Sequence, residues 1–145
     1  MIRAAKIAAV IIAAFFIAPY VVPSPRVEIP ADLLAASDQV EPRPVYRFTS
    51  DGCSGGLSIG WRAVFGAPPP FEGCCVGHDF WYWRGGTVEQ RASADEGLWR
   101  CVAATGHPWL AWVMWAGVQP GGSPKLPFPW RWGYGEYYYR PYASN

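Results

Sequence analysis

Charge is scarce in this chain of 145 residues, with charged side chains at 16% and a formal net charge of +1. So balanced a chain offers no electrostatic footing for nucleic acid, and we expect none as a partner. Repeats are absent too, which excludes solenoid and array architectures. No Cys-x-x-Cys spacing occurs, and structural zinc prefers that pairing. The short supply of helix formers argues against a simple bundle. What replaces them is apolar and rigid: hydrophobic residues reach 51%, with nine Trp, eight Tyr, seven Phe, 16 Gly and 15 Pro. That composition excludes disorder and leaves one domain's worth of core-forming chain.

Residues 1–22 place Arg3 and Lys6 ahead of the uncharged run Ile7 to Val22. A basic start followed by an apolar run is the pattern of a signal peptide or signal anchor. As a helix that run rises about 24 Å, a little under a bilayer core of about 30 Å. Signal cleavage wants small residues three and one before the cut, and Phe16, Ala18 and Pro19 fit this badly. An uncleaved anchor is therefore preferred, with the rest of the chain outside the cytoplasm by the charge rule. Cleavage would instead give a secreted protein. Residues 23–44 are rich in proline and read as a tether, with a short helical candidate at Ala31 to Ser37. The folded part is expected to begin near Val45.

Cys53, Cys74, Cys75 and Cys101 make an even count in an exported chain, which points to disulfides with three possible pairings. Cys74-Cys75-x-x-His78 offers zinc ligands superficially, but adjacent cysteines are poor tetrahedral partners. After Pro68-Pro69-Pro70 the pattern predicts a helix from about Phe71 to Trp83, ended by Gly85-Gly86. Thr87 with Gln90 three positions on forms a capping box for a second helix running to about Ala104. So short a turn makes the two helices antiparallel neighbours.

At 100° per residue Cys74, His78 and Tyr82 share one stripe of the first helix, and Asp79 lies on an adjoining wall. On the second helix Val88, Arg91, Asp95, Trp99 and Val102 share a stripe, so one carboxylate sits on an otherwise apolar face. A buried Asp needs a partner, and His78 across the interface is the natural candidate, with Tyr82 donating a second hydrogen bond. Arg91, four residues before Asp95, offers a local alternative. Taken singly, a lone His is more often structural and a lone Asp more often solvated. The adjacent loop Thr49 to Gly56 is glycine-rich, and such loops let carbonyls converge on a hard cation such as Ca²⁺.

Together these residues resemble the secreted phospholipase A2 superfamily. The match is Cys74-Cys75-Val76-Gly77-His78-Asp79-Phe80-Trp81-Tyr82, with Asp95 and Cys101 following and Gly52-Cys53-Ser54-Gly55-Gly56 ahead. It covers Asp51 to Cys101, about a third of the chain. The resemblance implies a mainly α fold: two antiparallel disulfide-linked helices with a calcium loop, here between an N-terminal signal or anchor helix and an aromatic C-terminal extension. It implies a catalytic core over residues 45–106. It implies calcium-dependent hydrolysis of the sn-2 ester of phospholipids in a bilayer or micelle, without a protein partner.

In that reading His78 is the general base acting on water, Asp95 orients it and Tyr82 supports Asp95. Asp79 and the carbonyls of Gly52, Ser54 and Gly56 hold Ca²⁺, and the Ser54 N–H helps stabilise the oxyanion. The implied disulfides are Cys53–Cys75 and Cys74–Cys101. The chain departs from the family at Ser54, where glycine is usual. It also has only a bare turn where animal and venom members carry a two-stranded wing. A second tyrosine that often supports the aspartate there has no evident counterpart.

Residues 107–145 are aromatic. Pro108 to Val118 is apolar on every side but, at about 16 Å, too short to span a bilayer. With Trp130, Trp132 and Tyr137 to Tyr139 it is either a lid on the core or a seat at the membrane interface. His107 receives no role. The alternatives to a phospholipase are a non-catalytic lipid-binding module on the same scaffold, or a hydrolase of another ester.

Overall fold

A computed structural model describes residues 27–53, 56–136 and 142–143; the expected signal or anchor segment lies outside them. The described residues form five helices and no strand: α1 (Ala31–Asp38), α2 (Leu57–Phe65), α3 (Glu72–Arg84), α4 (Val88–Ala104) and α5 (Pro108–Gly121). None of these helices is long and apolar enough to cross a membrane.

Helix α3 follows the triple proline and carries Glu72 in its first turn and Arg84 in its last, both favourable to the helix dipole. It ends where Gly85 takes φ 70°. A side chain there would also meet the Cα of Gly133 at 2.9 Å, so this turn admits glycine for two reasons. The capping box at Thr87 is present in full, with Gln90 N–H donating to Thr87 Oγ1 and Thr87 N–H to Gln90 Oε1. Residue 74 meets 101 through a disulfide, 78 meets 95 and 82 meets 91. Numbers rise along α3 as they fall along α4, so the pair is antiparallel.

Helix α3 is buried on nearly every side because core packs on each of its faces. Phe71 and Cys75 join Cys53, Leu98, Val102 and Ala111, which brings α4 and α5 together. Val76, Phe80 and Trp83 pack on Phe48, and Tyr82 packs on Ala94 and Trp132. The stretch expected as a tether is, from Val27 onward, part of this body. Its Val27, Ile29, Leu33 and Val40 cover the Phe48 cluster, because alternating apolar residues there have a core to bury against.

Two further differences stand out. Helix α2 was not anticipated, although Leu57, Trp61 and Phe65 recur at helical spacing. Arg62 anchors it by a bidentate pair with Glu72 at 2.6 and 2.8 Å. On α4 the buried face is Ala94, Asp95, Leu98 and Val102, leaving Val88 and Trp99 exposed. The stripe is rotated because α3 and α5 pack on α4 from two directions.

The disulfides Cys53–Cys75 and Cys74–Cys101 close loops of 22 and 27 residues in separation. Loop-closure entropy for such lengths amounts to about 3 kcal/mol each. Replacing Cys74 and Cys101 together by alanine is expected to lower Tm by about 10 °C. Thermal melts followed by circular dichroism check this.

Candidate functional site: a buried His–Asp pair beside an acidic cavity

Asp95 is the most enclosed carboxylate described, at 1% exposure. His78 Nε2–H donates to its Oδ1 at 2.9 Å, and the Tyr82 hydroxyl donates to the same oxygen at 2.7 Å. Gln119 Nε2 donates to Oδ2 at 2.9 Å, and Arg91 Nε stands 3.8 Å from that oxygen. Both oxygens therefore act as acceptors, which assigns the hydrogen on His78 to Nε2 and leaves Nδ1 as the lone-pair nitrogen. The imidazole is 8% exposed and lies against the Tyr82 ring, centroids 4.2 Å apart. Burial and the charge of Asp95 push the Tyr82 hydroxyl upward in pKa, so it remains a donor.

Tyr82 reaches Asp95 because the chain beyond α5 gives it room. A Cβ at Gly122 would lie 2.2 Å from its hydroxyl oxygen. The C-terminal segment then holds the other side of the ring. Trp132 packs edge-on against Tyr82 at 5.1 Å, and Gly133 N–H donates to the Tyr82 carbonyl at 2.6 Å. This part of the aromatic extension packs on the core.

Asp79 lies on the adjoining wall, also buried. Ser50 Oγ donates to its Oδ2 at 2.6 Å. Thr49, Ser50, Asp51, Asp79, Pro129, Trp130 and Tyr134 line a cavity of about 280 Å³. Tyr134 closes one edge by donating to the Thr49 carbonyl at 2.5 Å. His78 is not among the residues lining this cavity. Burial first, and then the negative charge of Asp51, hold the Asp79 carboxyl well above the usual carboxylate range.

Of the loop residues expected to supply carbonyls, Ser54 lies outside the described residues. Gly56 is the N-cap of α2, and its carbonyl accepts the Gly60 N–H at 2.8 Å with one of its two lone pairs. Gly52 takes φ 78° between Ser50 and Cys53. Among the described residues no three His, Cys, Asp or Glu side chains gather as a metal cluster. The residues lining the cavity with Asp79 bring oxygens: the Asp51 carboxylate and the hydroxyls of Thr49, Ser50 and Tyr134. All-oxygen surroundings suit a hard cation, and two carboxylates close enough to repel are what such a cation neutralises.

Sequence reasoning missed Gln119, Ser50 and Asp51. The first is the one amide in an otherwise apolar helix, and the others lie within the glycine-rich loop, where only the carbonyls were given a use. No family model, curated protein or solved structure matches this chain.

Because Asp79 binds its proton more tightly in the fold than in the unfolded chain, its contribution favours the fold at low pH. That contribution is lost as pH rises through the folded value. In EGTA, wild-type Tm is therefore expected to fall as pH rises from about 4, where a free carboxyl titrates, to neutrality and above, and Asp79→Asn to flatten the fall and raise Tm at the upper end. Melts across that range check it; an equal fall in the variant contradicts the assignment.

Proposed function

We propose that this chain is a calcium-dependent phospholipase A2-like esterase, in which His78 activates water against the sn-2 ester of a phospholipid. The observation that carries the reading is the 2.9 Å bond from His78 Nε2 to a fully satisfied, buried Asp95, on a helix that also carries Asp79. The disulfide partners support it, being those implied by the resemblance.

The chemistry follows from the protonation pattern. With Nε2–H held by Asp95, Nδ1 takes a proton from the attacking water. Asp95 stabilises the imidazolium that forms, and Tyr82 and Gln119 keep its carboxylate from turning away. His78 then returns the proton to the departing lysophospholipid oxygen, so water and ester become acid and alcohol without a covalent enzyme intermediate. Asp79 and the carbonyls of Gly52, Ser54 and Gly56, with Asp51 nearby, would hold Ca²⁺, which when bound would supply positive charge for the ester oxyanion and the phosphate.

The substrate is a membrane lipid, and the chain carries matching surfaces. Trp109 and Trp112, 72% and 53% exposed, stack on one another along α5, a helix without a single charge. Val64 and Phe65 are exposed at the end of α2. Tryptophan favours the boundary between headgroups and acyl chains. In this reading the N-terminal apolar segment anchors an exported domain and α5 seats it. The same tryptophans would serve a non-catalytic lipid-binding module, which is the second reading.

Fatty-acid release from mixed-phospholipid vesicles, labelled separately at sn-1 and sn-2, tests the proposal with the full-length chain. Wild type is expected to release the sn-2 chain in Ca²⁺ and not in EGTA, and His78→Gln to lose about 10³-fold. Trp109→Ala with Trp112→Ala is expected to weaken vesicle binding about tenfold, equivalent to about 1.4 kcal/mol. Vesicle binding without release by the folded protein would decide for the lipid-binding module.

A further inference from the structure

Asp95 has two oxygens, and they are used differently. Oδ1 receives His78 and Tyr82, both from α3. Oδ2 receives the side-chain amide of Gln119, which comes from the far end of α5. A carboxylate with donors on one oxygen alone can turn about its Cβ–Cγ bond. A donor placed on the second oxygen removes that freedom, and the plane it fixes is the plane His78 must share.

The amide is itself held. Arg91, one turn before Asp95 on α4, donates through Nη2 to the carbonyls of Val118 at 3.0 Å and of Gln119. Carbonyls in the last turn of a helix have no partner within it; that of Val118 also accepts the Gly122 N–H at 2.9 Å, and the guanidinium supplies further donors to this end of α5. Arg91 also donates to the Tyr82 hydroxyl at 3.3 Å and to the Tyr142 hydroxyl at 2.6 Å. One cation thus fixes the end of α5, the tyrosine on Oδ1 and, through the backbone, the amide on Oδ2. Gln119 is exposed as a residue, so nothing in the core requires an amide at that position.

We infer that Gln119 is a positioning residue for the His78–Asp95 pair, delivered by α5 and held by Arg91, so that α5 is part of the catalytic centre. This rests on the esterase reading only for its kinetic consequence. Gln119→Met keeps length and loses the donor; Gln119→Glu keeps shape and sets an acceptor against Oδ2.

The full-length chain with either substitution is compared with wild type by vesicle hydrolysis, by thermal melts and by proton NMR of the His78 Nε2–H. Loss of one hydrogen bond to a carboxylate corresponds to about a tenfold fall in kcat for Gln119→Met, with a larger fall for Gln119→Glu. KM for vesicles stays near wild type, Tm falls by about 5 °C for the donor lost from a buried carboxylate, and the Nε2–H resonance broadens as its acceptor loses orientation. An unchanged kcat together with a sharp resonance in both variants overturns the inference. So does a kcat that returns to the wild-type value when the variants are assayed well below their Tm. Should wild type release no fatty acid, the esterase reading fails alone, and the resonance still decides the role of Gln119.

Discussion

A carboxylate buried where three helices meet must be given donors, and most of this small fold follows from how Asp95 receives them. Its donors come from α3 on one oxygen and α5 on the other, while Arg91 of its own helix stands behind. Leaving a buried polar group without one of its donors costs about 1–3 kcal/mol, as much as a single well-packed contact contributes in a domain of this size. The helices are therefore arranged around a polar point that apolar packing alone would not have selected. Disulfides at Cys75 and Cys74 hold the same region covalently, one to the glycine loop and one to α4.

The second acidic residue of the motif has the opposite environment. Asp79 receives one hydroxyl donor and faces the charge of Asp51, so its burial favours the protonated form. Adjacent positions on one helix thus present a carboxylate acceptor network through His78 and an acidic, oxygen-lined cavity through Asp79. Two such environments, separated by about 100° of helix rotation, are what the proposed general base and the proposed cation site would each require. The tail reinforces both: Trp132 backs Tyr82, and Tyr134 bonds the main chain of Thr49.

Much of this was legible because it is local. The capping box at Thr87, the breaks at the triple proline and Gly85, and the stripe of Cys74, His78 and Tyr82 are encoded within a turn or two of helix. Gln119 was not, because its partner lies 24 residues away and its own helix shows no polar face. In a chain without an evident second tyrosine for Asp95, the lone amide in α5 was the available signal. Val88 and Trp99 were placed on the wrong face because helical periodicity gives the width of a stripe and not its direction. The apolar residues from Val27 to Val40 lay hidden among prolines, and their burial depends on a Phe48 cluster assembled from distant segments.

In the proposed reaction His78 and Asp95 act as one unit on water, and a double-mutant cycle on phospholipid hydrolysis is the sharpest check of that coupling. Asp95→Asn alone is expected to cost about 10²-fold or more in kcat, and to cost almost nothing once His78 has been replaced by Gln. Equal losses from Asp95→Asn in both backgrounds, or no hydrolysis by the wild-type protein, would contradict the claim.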